Sequence, residues 1–363
     1  MLFSYKYVPH QMEKMQEFID FIFFEVWCKA PEKEYGIHLF EAEGKPWKSI
    51  MEKLFQLDLA GKLNAGGAAA FFYNDVNLIF NEFKNLTANE IEYYKNVYKV
   101  NNNIEDACQN QCPQQPTKYT GLMSSKLNLN ELLKDFFSNL YSSGFFNLKL
   151  VKDAFKSTLS EYYMDFVREN NEDICPFCGL QSLDGEFAPT REAFDHYLPK
   201  SLYPFNSVNL RNLAPSCNKC NSGNKRDKDT VYKSTGIRRK AFYPFMNSAT
   251  DIELKMDILD KQWDKLTPNC FNLQISSSNF QEEVDTWIDL FRIDQRYAAR
   301  CCGKRGDVNW LNTILIESRN YHKSSKEALE AVLDNISSDP LSDANFLKKA
   351  FLEACDRAGL FTE

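Results

Sequence analysis

Two cysteine pairs constrain this 363-residue chain more than any other feature: Cys175-Pro-Phe-Cys178 and, 38 residues later, Cys217-Asn-Lys-Cys220. Each Cys-x-x-Cys turn presents two thiolates from one side, and two such turns close a tetrahedral shell around zinc. Four thiolates leave no position for water or substrate, so the zinc expected at Cys175, Cys178, Cys217 and Cys220 is structural. The eleven cysteines are an odd number spread over a long chain, unlike a secreted disulfide framework. Cys108 and Cys112 lie in a segment without histidine and read as two exposed thiols.

The rest of the chain reads as mostly helical. Met12, Met15, Phe18, Ile19, Ile22, Phe23 and Val26 recur at helical spacing. Helices are expected at 48–59 and at 87–100, the latter opened by a capping box of Thr87 and Glu90. Ala65-Gly66-Gly67-Ala68 lacks the Lys-Ser/Thr ending of a phosphate-binding loop and is set aside. Residues 1–100 are thus expected as a helical N-terminal region. The amide- and proline-rich residues 101–126 are expected as a linker or long loop. Residues 127–170 form a helical lead-in, with Val151, Ala154, Phe155, Leu159, Tyr162, Phe166 and Val167 on one face. Residues 171–245 hold the cysteines. In 246–363, Ile252, Leu254, Met256 and Ile258 alternate, as do Phe271, Leu273 and Ile275, which predicts a short β-hairpin. Helices follow, the last expected to start at an N-cap Ser342 and stop at Gly359.

Between and after the cysteine pairs lie Asp195-His196, Asn209-Leu-Arg-Asn212 and Cys220-Asn221, with Lys225 four residues further on. This order resembles the HNH endonuclease family over about residues 172–245. The resemblance implies a ββα-metal core, zinc-stapled and embedded between helical regions. Strands would run over 192–196 and 210–214, and a short helix over 217–225. The family's last histidine is Asn221 here, an HNN variant.

By the same resemblance His196 is the general base, a task suited to a side chain of ordinary pKa near 6.5. Asp195 and Asn221 offer hard oxygen ligands to a catalytic Mg²⁺ or Mn²⁺. Asn212 braces the loop that orients His196, and Lys225 or Arg226 neutralises the phosphate. His10, His38 and His322 carry no such frame.

The net charge of −7 excludes a basic coat over the whole surface, so a polyanion site must be local. Residues 191–240 supply one in principle, with eleven Lys and Arg against four Asp and Glu, a net +7. Nucleic acid is the expected partner, DNA ahead of RNA by the resemblance. Stand-alone members with unfamiliar flanking regions resemble anti-phage effectors that work beside an ATPase or sensor protein. An RNase on the same core, and a non-catalytic zinc module that binds nucleic acid or protein, are the rival readings. No run of 18 apolar residues suggests a membrane span, and the first residues lack a signal-peptide pattern, so a cytoplasmic protein is expected. Oligomeric state is left open.

Overall fold

The apolar spacing of residues 12–26 is realised as one buried face. The helix Lys14–Phe21 continues as a wider π-helical winding, Ile22–Trp27, and all seven apolar residues named above are buried. In this computed structural model, which describes residues 1–62, 67–261, 263, 265–304 and 306–361, that face packs against a set of helices. These are Trp47–Leu59, Ala68–Phe83, Ala88–Asn102 and Leu127–Leu140. Aromatic rings fill the space between them: Phe18 stacks on Trp47 at 4.7 Å and Phe72 on Phe145 at 3.7 Å. The capping box of Thr87 and Glu90 is present in both directions. Ala65 and Gly66 of the glycine stretch lie outside the described residues.

Three local expectations need correction. The stretch expected as a linker at 101–126 begins with helix. Residues 101 and 102 end one helix, and Ile104–Gln109 forms another that buries Ile104, Ala107 and Cys108. Composition misled because the amides are satisfied internally: Asn101 is buried and bonds Thr117 and the Pro204 carbonyl. Cys108 is therefore a core residue, and burial pushes its thiol pKa up; Cys112 is half-buried. The expected single face over 151–167 is two helices, Lys149–Phe155 and Leu159–Asn170. Lys156 takes a left-handed conformation, and a Thr158–Glu161 capping box starts the second helix. The last helix begins at Asn345 rather than beside Ser342, after left-handed residues at 343 and 344.

The sheets are small. Strands β1, Phe194–His196, and β2, Leu213–Pro215, pair antiparallel with Asp195 opposite Ala214. Strands β3, Ile252–Ile258, and β4, Phe271–Ser277, form the expected second antiparallel pair, with Met256 opposite Leu273. Helix Asn345–Arg357 covers that pair. Buried apolar residues from all of these segments join in one continuous core. Phe205 makes the central link, since its ring meets Phe23, Tyr98 and Phe137 of the helical region at 4.9–5.3 Å. Among the described residues no helix is long and apolar enough to cross a membrane.

Candidate active site and metal centre

The cysteine pairs converge. The ligand atoms of Cys175, Cys178, Cys217 and Cys220 all lie within 4.8 Å of one another, and Cys178 Sγ stands 4.0 Å from Cys217 Sγ. A zinc tetrahedron with Zn–S near 2.3 Å needs sulfurs about 3.8 Å apart, so this cluster can hold a metal such as zinc. All four are buried free cysteines. The first turn closes through Gly179, at φ +61°, whose N–H donates to the Cys175 carbonyl at 2.8 Å. The positive φ is what asks for glycine here, and a Cβ would also press on the ends of the Leu2 and Phe346 side chains.

Other groups support the sulfurs. The Leu180 N–H donates to Cys178 Sγ at 3.4 Å, and Arg296 Nη1 to Cys220 Sγ at 3.3 Å. The three neighbouring cysteines, with a smaller contribution from Arg296, hold the Cys178 thiol well below its usual range. A thiolate is the form a metal binds.

The second centre sits on the β1–β2 pair. His196, at the end of β1, places Nε2 at 2.9 Å from the Ser207 carbonyl oxygen. A carbonyl only accepts, so Nε2 carries the proton and Nδ1 keeps its lone pair. Burial lowers the His196 pKa from 6.5 to about 3, with Ser207 opposing and Lys200 and Lys225 adding, so the ring is neutral but a weaker base than the ordinary imidazole expected from the sequence. Asn212 is fully buried: its Oδ1 accepts from the Leu198 N–H at 2.7 Å and its Nδ2 donates to the Leu198 carbonyl at 3.0 Å. The same amide reaches Asn206, next to Ser207, at 3.3 Å. It therefore closes the loop that supplies the acceptor for His196. Asn212→Ala leaves both backbone groups of Leu198 unpaired and should cost about 3 kcal/mol in a urea titration without lowering zinc content.

Because the folded pKa of His196 lies below 6.5, the unfolded chain takes up this proton more readily than the folded one. The stability that the neutral ring contributes is full above about pH 6.5 and is lost as the pH falls toward about 3. His196→Gln should therefore lose less stability than wild type between about pH 7 and about pH 5. Parallel urea midpoints would exclude the buried neutral ring.

Asp195 is buried, and burial raises its pKa while Lys225 opposes. Its Oδ1 accepts from Lys225 Nζ at 3.0 Å, and its Oδ2 is buried with no partner. Lys225, expected as a phosphate ligand, is instead fully buried and also donates to the His196 carbonyl at 2.9 Å. It ends the π-helix Lys219–Lys225 and fixes that helix against β1. Asn221 lies on this helix, half-buried, and hydrogen-bonds neither Asp195 nor His196; Arg226 just beyond is exposed.

Much of the basic segment is used internally. Lys200 binds the Ser138 carbonyl, Lys228 the Asp289 carbonyl, Arg238 the Ala107 carbonyl and Arg239 the Asp289 carboxylate. Residue counting could not separate these cations from Lys219, Arg226, Lys233 and Lys240, which stay exposed. Sequence reasoning gave no role to Arg296 or to Tyr141, whose ring meets His196 edge-on at 4.8 Å. Both come from helices far from the motif along the chain.

No protein-family model matches the chain, and no solved structure does. A 64-residue stretch is 42% identical to protein ea31 of Escherichia phage lambda, covering 18% of this chain and 19% of that protein. The chain is similar to that protein over this stretch alone.

Proposed function

We propose that this protein is a metal-dependent nuclease of the HNH type, which hydrolyses phosphodiester bonds in nucleic acid, DNA ahead of RNA. The observation that carries the reading is Asp195 Oδ2, a buried carboxylate oxygen without a partner, one residue before a neutral histidine. Lys225 already meets the other oxygen of this carboxylate, and the second is costly unless a donor or a cation completes it. Asp195 Oδ2 and the Asn221 amide oxygen are the groups that would hold Mg²⁺ or Mn²⁺. When bound, that ion would stabilise negative charge on the phosphate and on the leaving oxygen. His196 is the general base: Nε2–H stays on Ser207, and Nδ1 takes the proton of the attacking water. The four-cysteine metal holds the hairpin and the π-helix in register.

The test is incubation of the zinc-loaded protein with supercoiled plasmid, linear duplex, single-stranded DNA and RNA, with and without Mg²⁺ or Mn²⁺. Cleavage that requires the divalent ion and is lost with His196 supports the reading and names the substrate. No cleavage of any of the four, from protein that binds zinc, favours a non-catalytic zinc module.

A further inference from the structure

Two half-buried cations, one near Tyr141 and one near His196, have no carboxylate against them among the described residues. Arg191 lies just ahead of β1. Its Nη1 donates to the Glu192 carbonyl at 3.2 Å, its guanidinium covers the Phe194 ring at 5.4 Å, and its charge lies close enough to Tyr141 to act on that hydroxyl. Tyr141 in turn packs edge-on against His196. Lys200, four residues after His196, binds the Ser138 carbonyl and reaches Ser142 Oγ at 3.4 Å.

Lys225 and Arg239, the deeply buried cations of the same segment, are each neutralised, by Asp195 at 3.0 Å and Asp289 at 2.6 Å. Arg191 and Lys200 have only neutral acceptors. A guanidinium carries five N–H donors and an ammonium three, so both keep donors in hand. Partly desolvated cations without a counter-charge are costly until an anion arrives.

We propose that Arg191 and Lys200, which both approach the C-terminal end of the helix that carries Tyr141, form the cleft that takes one phosphate of a nucleic-acid backbone beside His196. This assignment rests on the nuclease reading and replaces Lys225 in the phosphate role. It also makes the helical lead-in part of the site, because Ser138 and Tyr141 come from the helix Leu127–Leu140 and its C-terminal cap. The planar fork of Arg191 suits two phosphate oxygens at once, and Lys200 acts as a point charge.

The test measures binding of a short fluorescent DNA duplex, with Ca²⁺ in place of Mg²⁺, across a salt series. Arg191→Gln and Lys200→Gln should each weaken binding about tenfold and reduce the slope of log K against log salt by about 0.9. Arg191→Lys and Lys200→Arg should restore most of the slope, which a purely structural role would not do. Lys233→Gln, at an exposed lysine of the same segment, should change little. Glutamine variants that keep the wild-type melting temperature, affinity and salt slope would overturn the cleft.

Cleavage is read separately. Wild type that cleaves through His196 while the two glutamine variants bind normally removes the cleft alone. Wild type that never cleaves, yet binds DNA with a slope set by Arg191 and Lys200, removes the nuclease reading and keeps the cleft. A wild type that binds neither this duplex nor single-stranded DNA or RNA of the same length overturns both.

Discussion

Cys217→Ser should abolish metal binding at the four-cysteine centre and lower the melting temperature by on the order of 10 °C. Structural zinc contributes roughly 10–16 kcal/mol in small domains, and losing about 5 kcal/mol of that in a chain this long gives a shift of this size. The effect should spread beyond the loop, because the first knuckle is a junction. Trp287 Nε1 donates to the Phe177 carbonyl at 2.8 Å, the Tyr297 hydroxyl to the Cys178 carbonyl at 3.0 Å, and the Leu2 N–H to the Pro176 carbonyl at 2.9 Å. Metal analysis and differential scanning calorimetry on the purified variant give the answer, with Cys108→Ser, at a buried cysteine outside the cluster, as the control for metal content. Unchanged zinc and an unchanged transition in Cys217→Ser would remove the structural metal.

His196→Ala should reduce divalent-ion-dependent cleavage by about 10²–10⁴-fold, the usual contribution of a general base. Zinc content should stay at the wild-type level, since His196 is not among the four clustered ligands. Alanine also strips the Ser207 carbonyl of its donor, so His196→Gln is the stricter variant. A glutamine amide can still donate to Ser207 but cannot take a proton from water. If His196→Gln cleaves as fast as wild type, the base lies elsewhere.

What the sequence made legible were features written in local spacing. The Thr87–Glu90 box, the alternation at 252–258 and the two Cys-x-x-Cys turns each depend on residues a few positions apart, and each appears in place. The strand ending at Asp195-His196 is there too, shorter than expected, because Leu210–Asn212 is a 3-10 turn before β2 begins. What local spacing does not carry is burial. Lys225 has the composition of a phosphate ligand and the environment of an internal ion pair. Asn101 and Asn102 have the composition of a linker, yet they hydrogen-bond backbone carbonyls about a hundred residues away, at Pro204 and Phe205. Tyr141 and Arg296 approach the two centres only through tertiary packing, and nothing in their immediate neighbours marks them.

The junction at the first knuckle also sets an order of events during synthesis. Leu2 and Phe346 both pack close to the Cα of Gly179. Chains leave the ribosome N-terminus first, and contacts with late residues wait for them. The first knuckle therefore cannot reach its final packing until residue 346 has emerged, long after all four sulfurs are available to bind metal. A truncated or stalled chain would carry the metal ligands in an open, unsupported turn.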